Sequence, residues 1–240
     1  RDYDLNGTWD SSRETDWQDA LIGGTAVINN KDLGVSGGSR NTQFLLCATL
    51  YGESTVFPGD FDFKRTSLNF NINHTSENNK FSVQFSGSYS ITNNDLPFSD
   101  LTGDAVSLVP VAPALFDDEG YLNWENSTWL NPLSRINRGY EAITDNVIGN
   151  VVANYKLLKG LDFNLNLGYT SLIFDEIQPS PLSGFDPNNL PSTGSAAAYG
   201  RSETKTWIFE PQLIFSRIVF FGDFFVSFVA SVLFDVCISV

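Results

Sequence analysis

The residues from Leu68 to Thr92 constrain the fold more than any other stretch. From Leu68 to His74 the even positions are Leu68, Phe70 and Ile72, with Asn69, Asn71 and Asn73 between them. After the polar stretch Thr75 to Lys80, alternation resumes with Phe81, Val83, Phe85, Gly87, Tyr89 and Ile91. These are opposed by Ser82, Gln84, Ser86, Ser88, Ser90 and Thr92. A period of two belongs to a β-strand, whose successive side chains point to opposite faces. The stretch therefore predicts an antiparallel hairpin with one apolar face and one face of small uncharged polar groups.

The pattern recurs. Val147, Gly149, Val151, Ala153, Tyr155 and Leu157 form one apolar row, and Leu158, Lys159 and Gly160 make a tight connection. Leu161, Phe163, Leu165, Leu167, Tyr169 and Ile173 form the next row, opposed by Asn164, Asn166, Gly168 and Thr170. A further strand runs through Trp207, Phe209, Leu213 and Phe215, and two earlier ones, Asp32 to Ser36 and Gln43 to Tyr51, flank a turn from Gly37 to Thr42. That makes about seven strands. The turns at 37–42, 75–80 and 158–160 are short; the links at 52–63, 93–145 and 175–204 are long. A loop of roughly fifty residues is rare inside a compact soluble domain. Short turns alternating with long loops, on strands of at least ~9–11 residues, form the pattern of outer-membrane barrels.

A soluble β-sandwich also alternates, but its solvated face carries Lys and Glu. Here the only charged residues between Thr66 and Asn94 are Glu77 and Lys80, both at the turn. Aromatic residues near strand ends suit an interfacial girdle. The expected fold is all-β: an antiparallel up-and-down meander forming an open part of a larger transmembrane β-barrel. A secreted β-sandwich module for carbohydrate binding or adhesion is the alternative. It requires the Leu68, Phe70 and Ile72 row to face a second sheet. A small complete porin-like barrel requires the first and last strands to pair.

Composition narrows the chemistry. A net charge of −14 argues against nucleic acid, which needs a basic patch. Hydrophobic residues make up 42% of the chain, too many for disorder. Cys47 and Cys237 lie far apart without metal-ligand spacing, and a His-based metal cluster or a Ser-His-Asp triad would have to be built around His74 alone, which nothing nearby supports. The acidic run Asp117-Asp118-Glu119-Gly120 lacks the spacing and terminal Glu of a calcium loop. Asp175 and Glu176 are adjacent, whereas glycosidase carboxylates are set apart across a bound sugar. No catalytic residue, metal ligand or cofactor is assigned, and a non-enzyme is expected. Tyr121, Trp124 and Trp129 in the long loop are the candidate ligand-binding residues, because flat rings offer apolar area plus a polar handle. Packing of the loop on itself is the structural reading of the same rings, and Trp9 and Trp17 share both readings.

A series of segments runs in order through the chain, beginning with Thr15-Asp16-Trp17-Gln18-Asp19, Leu33-Gly34-Val35-Ser36-Gly37-Gly38 and Phe63-Lys64-Arg65-Thr66-Ser67-Leu68-Asn69-Phe70-Asn71. Ala114-Leu115-Phe116, Leu122-Asn123-Trp124 and Asn131-Pro132-Leu133 follow, then Thr144-Asp145-Asn146, Leu158-Lys159-Gly160-Leu161, Asn166-Leu167-Gly168-Tyr169 and Trp207-Ile208-Phe209-Glu210-Pro211-Gln212-Leu213. In this order they are similar to segments of SusC/RagA-type TonB-linked outer-membrane proteins. The resemblance covers about residues 10–216. It implies a plugged barrel in the bacterial outer membrane that imports bulky nutrients such as oligosaccharides or peptides. The implied partners are a SusD-like surface lipoprotein, TonB and outer-membrane lipid. The plug and TonB-contacting segment have no counterpart in this sequence, so no energy-coupling residue is assigned. With no Met and an Arg at position 1, a mature form or fragment is expected.

Residues 1–216 thus read as part of a barrel domain with long extracellular loops at about 93–145 and 175–204. Residues 217–240 differ: Phe, Val, Ile, Leu and Ala run almost continuously, interrupted by Asp223 and Asp235, and alternation stops. The length could suit a transmembrane helix, but two Asp and many β-branched residues oppose it. A shifted reading frame or a mis-assembled end after about Ser216 is the expectation for an apolar tail where the family pattern has a polar turn and another alternating strand. Resequencing the source DNA is expected to reveal the shift; an intact single frame through this region would overturn it.

Overall fold

The computed structural model describes residues 2–136, 138–221, 224–233 and 236–239, with 217–239 described by backbone alone. Among the described residues, nine strands form a single antiparallel sheet: β1 (Ile28–Gly38), β2 (Thr42–Ser54), β3 (Asp62–Thr75), β4 (Phe81–Leu96), β5 (Tyr140–Leu158), β6 (Leu161–Ser180), β7 (Ala196–Phe221), β8 (Phe224–Leu233) and β9 (Val236–Ser239). Each pairs with its sequence neighbour from β1 to β8, and β9 pairs with β7. Among the described residues β1 pairs only with β2, so the sheet is open and no small closed barrel forms.

The register places the apolar rows of successive strands side by side. Phe44 lies opposite Ile72, Leu46 opposite Phe70 and Ala48 opposite Leu68. Phe70 lies opposite Gly87 and Ile72 opposite Phe85, which faces Val151; Val151 faces Leu167, and Leu167 faces Phe209. One face is therefore apolar from β1 to β7. It is uncovered: Leu33 is 70% exposed and Trp207 55%. No second sheet lies on it among the described residues, which removes the sandwich alternative. The other face carries the Asn, Ser and Gln residues, some joined by side-chain hydrogen bonds. Asn166 Nδ2 donates to Glu210 Oε2 at 2.6 Å, and Asn73 Nδ2 to Asn71 Oδ1 at 2.8 Å.

The apolar face has a definite height. Phe81 to Ile91 rises about 34 Å along β4 at ~3.4 Å per residue, or about 25 Å once tilted by ~40°. Between the short turns and Tyr89, Tyr169 and Trp207, this face of β4, β6 and β7 carries no charge. The rings of Tyr169 and Trp207 pack with centroids 4.3 Å apart, and the Tyr89 hydroxyl donates to Asp145 at 3.0 Å. Beyond this level the same face turns charged, with Asp62 bonded to Lys64, Asp175 paired to Arg201 at 3.3 Å, and Glu203 bonded to Lys205.

The strands outrun the sequence expectation. The link expected at 93–145 narrows to 97–139, and that at 175–204 to 181–195. Beyond the charged level both faces are solvated, so alternation vanishes while backbone pairing continues. The short connections fall where expected. Gly160 sits in the β5–β6 turn with φ +82°, and a Cβ there would stand 2.2 Å from the Ser216 carbonyl oxygen, so only glycine suits it. In the tail, β8 and β9 are strands, and no described helix is long and apolar enough to cross a membrane. The side chains of 217–240, on which the tail expectation rests, lie outside the described residues.

Two glycines paired across β4 and β5 differ sharply in surroundings. A Cβ on Gly87 would lie 2.6 Å from Phe70 Cζ and 2.9 Å from the Ile148 carbonyl oxygen, whereas one on Gly149 would meet nothing within 4 Å. Overpacking costs about 1–3 kcal/mol. Gly87→Val is therefore expected to destabilise the folded protein by about that much, and Gly149→Val by under ~0.5 kcal/mol. Urea unfolding in detergent micelles measures both, and equal losses would contradict the packing described here.

Candidate ligand-binding site

The buried core of this chain lies in its loops. Helix α1 (Trp17–Ile22) starts at Asp16, whose carboxylate accepts from the backbone N–H groups of Gln18 and Asp19 at 3.0 and 3.1 Å. Helices α2 (Thr102–Ser107) and α3 (Leu133–Ile136) come from the β4–β5 loop. Trp17, Leu21, Leu101, Ala105, Ala112 and Leu133 form the cluster, with Trp9 and Trp129 packed on it. The Trp17 indole N–H donates to the Val109 carbonyl at 2.8 Å, and Trp9 donates to the Thr128 hydroxyl at 2.9 Å.

Asn131 holds the loop in shape. It is 0% exposed; its amide donates to the carbonyls of Leu115 and Asn123 at 2.6 and 3.0 Å, and its Oδ1 accepts from Leu133 N–H at 3.0 Å. A buried amide with all these groups paired is inexpensive, whereas an unpaired one costs about 1–3 kcal/mol. The three short motifs Ala114-Leu115-Phe116, Leu122-Asn123-Trp124 and Asn131-Pro132-Leu133 are thus tied together by one side chain.

The sequence candidates separate in space. Tyr121 is 70% exposed on a small turn. That turn is closed by Asp117, whose carboxylate accepts from the N–H groups of Glu119 and Tyr121 at 3.0 and 2.8 Å, so one carboxylate of the acidic run is committed to local structure. Trp129 packs its ring 6.0 Å from Trp17 and donates to the Asn123 carbonyl at 3.0 Å. Trp124 and Trp129 both line a cavity of about 440 Å³ between the β4–β5 and β6–β7 loops; Tyr121 does not. Between Trp124 and Trp129, the consecutive residues Glu125, Asn126 and Ser127 all have positive φ, of 42°, 56° and 63°. Such a run is costly for side-chain-bearing residues. The Thr128 hydroxyl donates to the Glu125 carbonyl at 2.7 Å, and Asn123 Oδ1 accepts from Glu125 N–H at 2.9 Å, which holds it.

Residues that the sequence did not single out complete the wall. Arg138 stacks 4.0 Å over the Phe185 ring, and Asp186 is buried beside them. Burial pushes the Asp186 carboxyl up, but hydrogen bonds from the Ser127 side chain, Asn188 N–H and the Asn189 amide outweigh it and hold the group below the usual carboxylate range. The two loops are also joined directly, Asn188 Nδ2 donating to Ser127 Oγ at 3.2 Å. The adjacent carboxylates Asp175 and Glu176 point to opposite faces of β6: Asp175 pairs with Arg201, and Glu176 accepts from the Tyr140 hydroxyl at 2.7 Å. They do not converge on one substrate.

Three solved structures share this fold. A RagAB peptide importer in the closed-closed state superposes with a TM-score of 0.65 at 18% identity, covering 91% of this chain and 27% of that one. A RagAB peptide transporter gives 0.59 at 19% identity, and the importer in the open-open state 0.64 at 18%, each covering 87% of this chain and 24% of the other. This chain thus spans about a quarter of the length of the chains it matches. No protein-family model matches the sequence, and no curated protein matches it by sequence.

Asp186 makes loop docking sensitive to acid. Its folded-state pKa lies below the unfolded value of about 3.9. Its contribution is therefore present above that unfolded value and is lost as pH falls through the folded one. The emission of Trp124 and Trp129 is expected to hold steady from pH 7 to about 5 and to shift below about 4. Asp186→Asn should remove the shift; an unchanged transition in that variant would assign it elsewhere.

Proposed function

We propose that this chain is a stretch of the barrel wall and loop cap of a SusC/RagA-type, TonB-dependent transporter in the bacterial outer membrane. The observation that carries the reading is the apolar face continuous from β1 to β7, uncharged over about 21 Å from Phe81 to Tyr89 once tilted and bounded by tyrosine, tryptophan and then charge. An open sheet with such a face needs lipid on that side and further strands at its edges. The ordered motif series supports the family, and the shared fold with RagAB importer chains supports a transport role rather than catalysis.

In this reading the long loops meet the nutrient outside the cell, and the Asn- and Ser-rich face lines the lumen. A SusD-like lipoprotein sits over the loops, and TonB supplies energy through a plug elsewhere in the protein. Trp124 and Trp129 take part in ligand contact from the cavity wall, and Tyr121 from the outer surface. Oligosaccharides and peptides are the substrate classes implied; the names of the structural neighbours favour peptides.

Neighbouring residues on β4 test the membrane assignment. Phe85 lies in the middle of the outward row and Ser86 on the opposite face. Arg at the bilayer midplane costs about 2–4 kcal/mol on the lipid side. Phe85→Arg is expected to reduce folded protein in the outer-membrane fraction, and with it uptake of a labelled oligopeptide pool, while Ser86→Arg preserves both. Equal behaviour of the two variants, or recovery of the unaltered protein in the soluble fraction, would refute the reading.

A further inference from the structure

The cavity between the two long loops has an imbalance of hydrogen-bonding groups. Arg138 Nε is buried without a hydrogen-bond partner, its guanidinium forms no ion pair among the described residues, and it lies 4.0 Å over the Phe185 ring. The Trp124 indole N–H likewise has no protein partner among the described residues, whereas that of Trp129 is taken by the Asn123 carbonyl. The carboxylate in the same wall, Asp186, is already occupied, accepting from Asn188 N–H at 2.9 Å and from the Asn189 amide at 3.0 Å. The cavity wall therefore carries a guanidinium without a carboxylate partner beside a carboxylate whose oxygens are engaged.

We infer that this cavity binds the carboxylate of the transported ligand, with Arg138 as its anchor and the aromatic rings beside it holding the adjoining apolar group. A guanidinium stacked on a ring keeps its planar fork of N–H groups in place, and that fork matches a carboxylate geometrically. A partly buried, unpaired guanidinium is unfavourable in the empty site, and ligand binding relieves it. About 440 Å³ accommodates a carboxylate and one neighbouring side chain or sugar ring, not a whole oligomer. The site thus reads one end or one charged unit of a longer ligand. This rests on the transporter reading, and it defines a chemical class within it: acidic units, whether the free C-terminus of a peptide or a uronic-acid residue.

Paired probes test it on the full-length protein in detergent, followed by calorimetry and tryptophan emission. The peptide arm uses acetyl-Ala-Phe-Ala as the free acid and as its C-terminal amide. The sugar arm uses a tetramer of galacturonic acid and its methyl ester. Because a charge-assisted hydrogen bond is stronger than a neutral one, the acid of the matching arm is expected to bind at least about tenfold more tightly than its neutral partner. Arg138→Gln should abolish that discrimination and Arg138→Lys retain part of it, both with unchanged migration of the folded barrel on unheated gels. Binding of the acid in one arm alone identifies the source of the carboxylate. Equal binding of acid and neutral probes, no binding of either acid, or discrimination that survives in Arg138→Gln would overturn the inference. The comparison on the unaltered protein stands even if a variant fails to fold. Failure of the transporter reading itself would show separately, as absence of the protein from the outer-membrane fraction.

Discussion

Everything in this molecule depends on an antiparallel register that stays in phase across the sheet. From β1 to β7 the pairing carries one irregularity, between Lys156 and Leu158 at the β5–β6 turn. Because side chains alternate with period two, a slip of one residue anywhere would bring Asn and Ser to the apolar face and Phe and Leu to the polar one. The short turns enforce the phase. They leave no slack, and the left-handed Gly160 with its close approach to Ser216 fixes one of them. The sheet's apolar face is exposed, so packing within this chain does not set the register; turn geometry and the contrast between the two faces do.

Order in the loops has a different source. A long connection loses much conformational entropy on folding unless it buries something in return. Here the return is a small core of its own, supplied partly by α1 from the other end of the sequence. Trp17 and Leu21 enter beside Leu101, Ala105 and Leu133, and Asn131 satisfies three backbone groups at once. The β6–β7 loop docks on this body through polar contacts around Asp186 and through Phe185 under Arg138. The cap is thus a packed body with a second loop leaning on it, and the cavity lies at their junction.

The faces and short turns of the sheet were legible in the sequence because one repeating contrast specifies both. Strand ends were not, since beyond Asp145 and Asp175 neither face is apolar and only backbone pairing continues. The motif series was recognisable as a pattern, but its physical reason, the reach of Asn131 to Leu115 and Asn123, appears only in three dimensions. Of the candidate rings, Trp124 and Trp129 meet at a cavity and Tyr121 stands apart, a division that spacing along one loop could not show. Arg138 carried no signal at all. Its partner ring belongs to another loop, and nothing in Ser134-Arg135-Ile136 or Gly139-Tyr140 marks which of two arginines would pair with Asp104 and which would be left without a carboxylate.

The overall charge bears on that last difference. At −14 the chain repels anions at long range, which disfavours the approach of an acidic ligand. But exposed charges are screened beyond about 8 Å at physiological salt, whereas a partly buried guanidinium is screened far less. The long-range field therefore acts on the rate of encounter and Arg138 on the lifetime of the complex. An acidic surface with one desolvated cation in a recess would discriminate among anions: a compact carboxylate that reaches the recess gains the local contact, while a diffuse polyanion held at the surface experiences only repulsion. Selectivity of that kind needs the rest of the cap to stay acidic, so the negative charge of the loops and Arg138 act together.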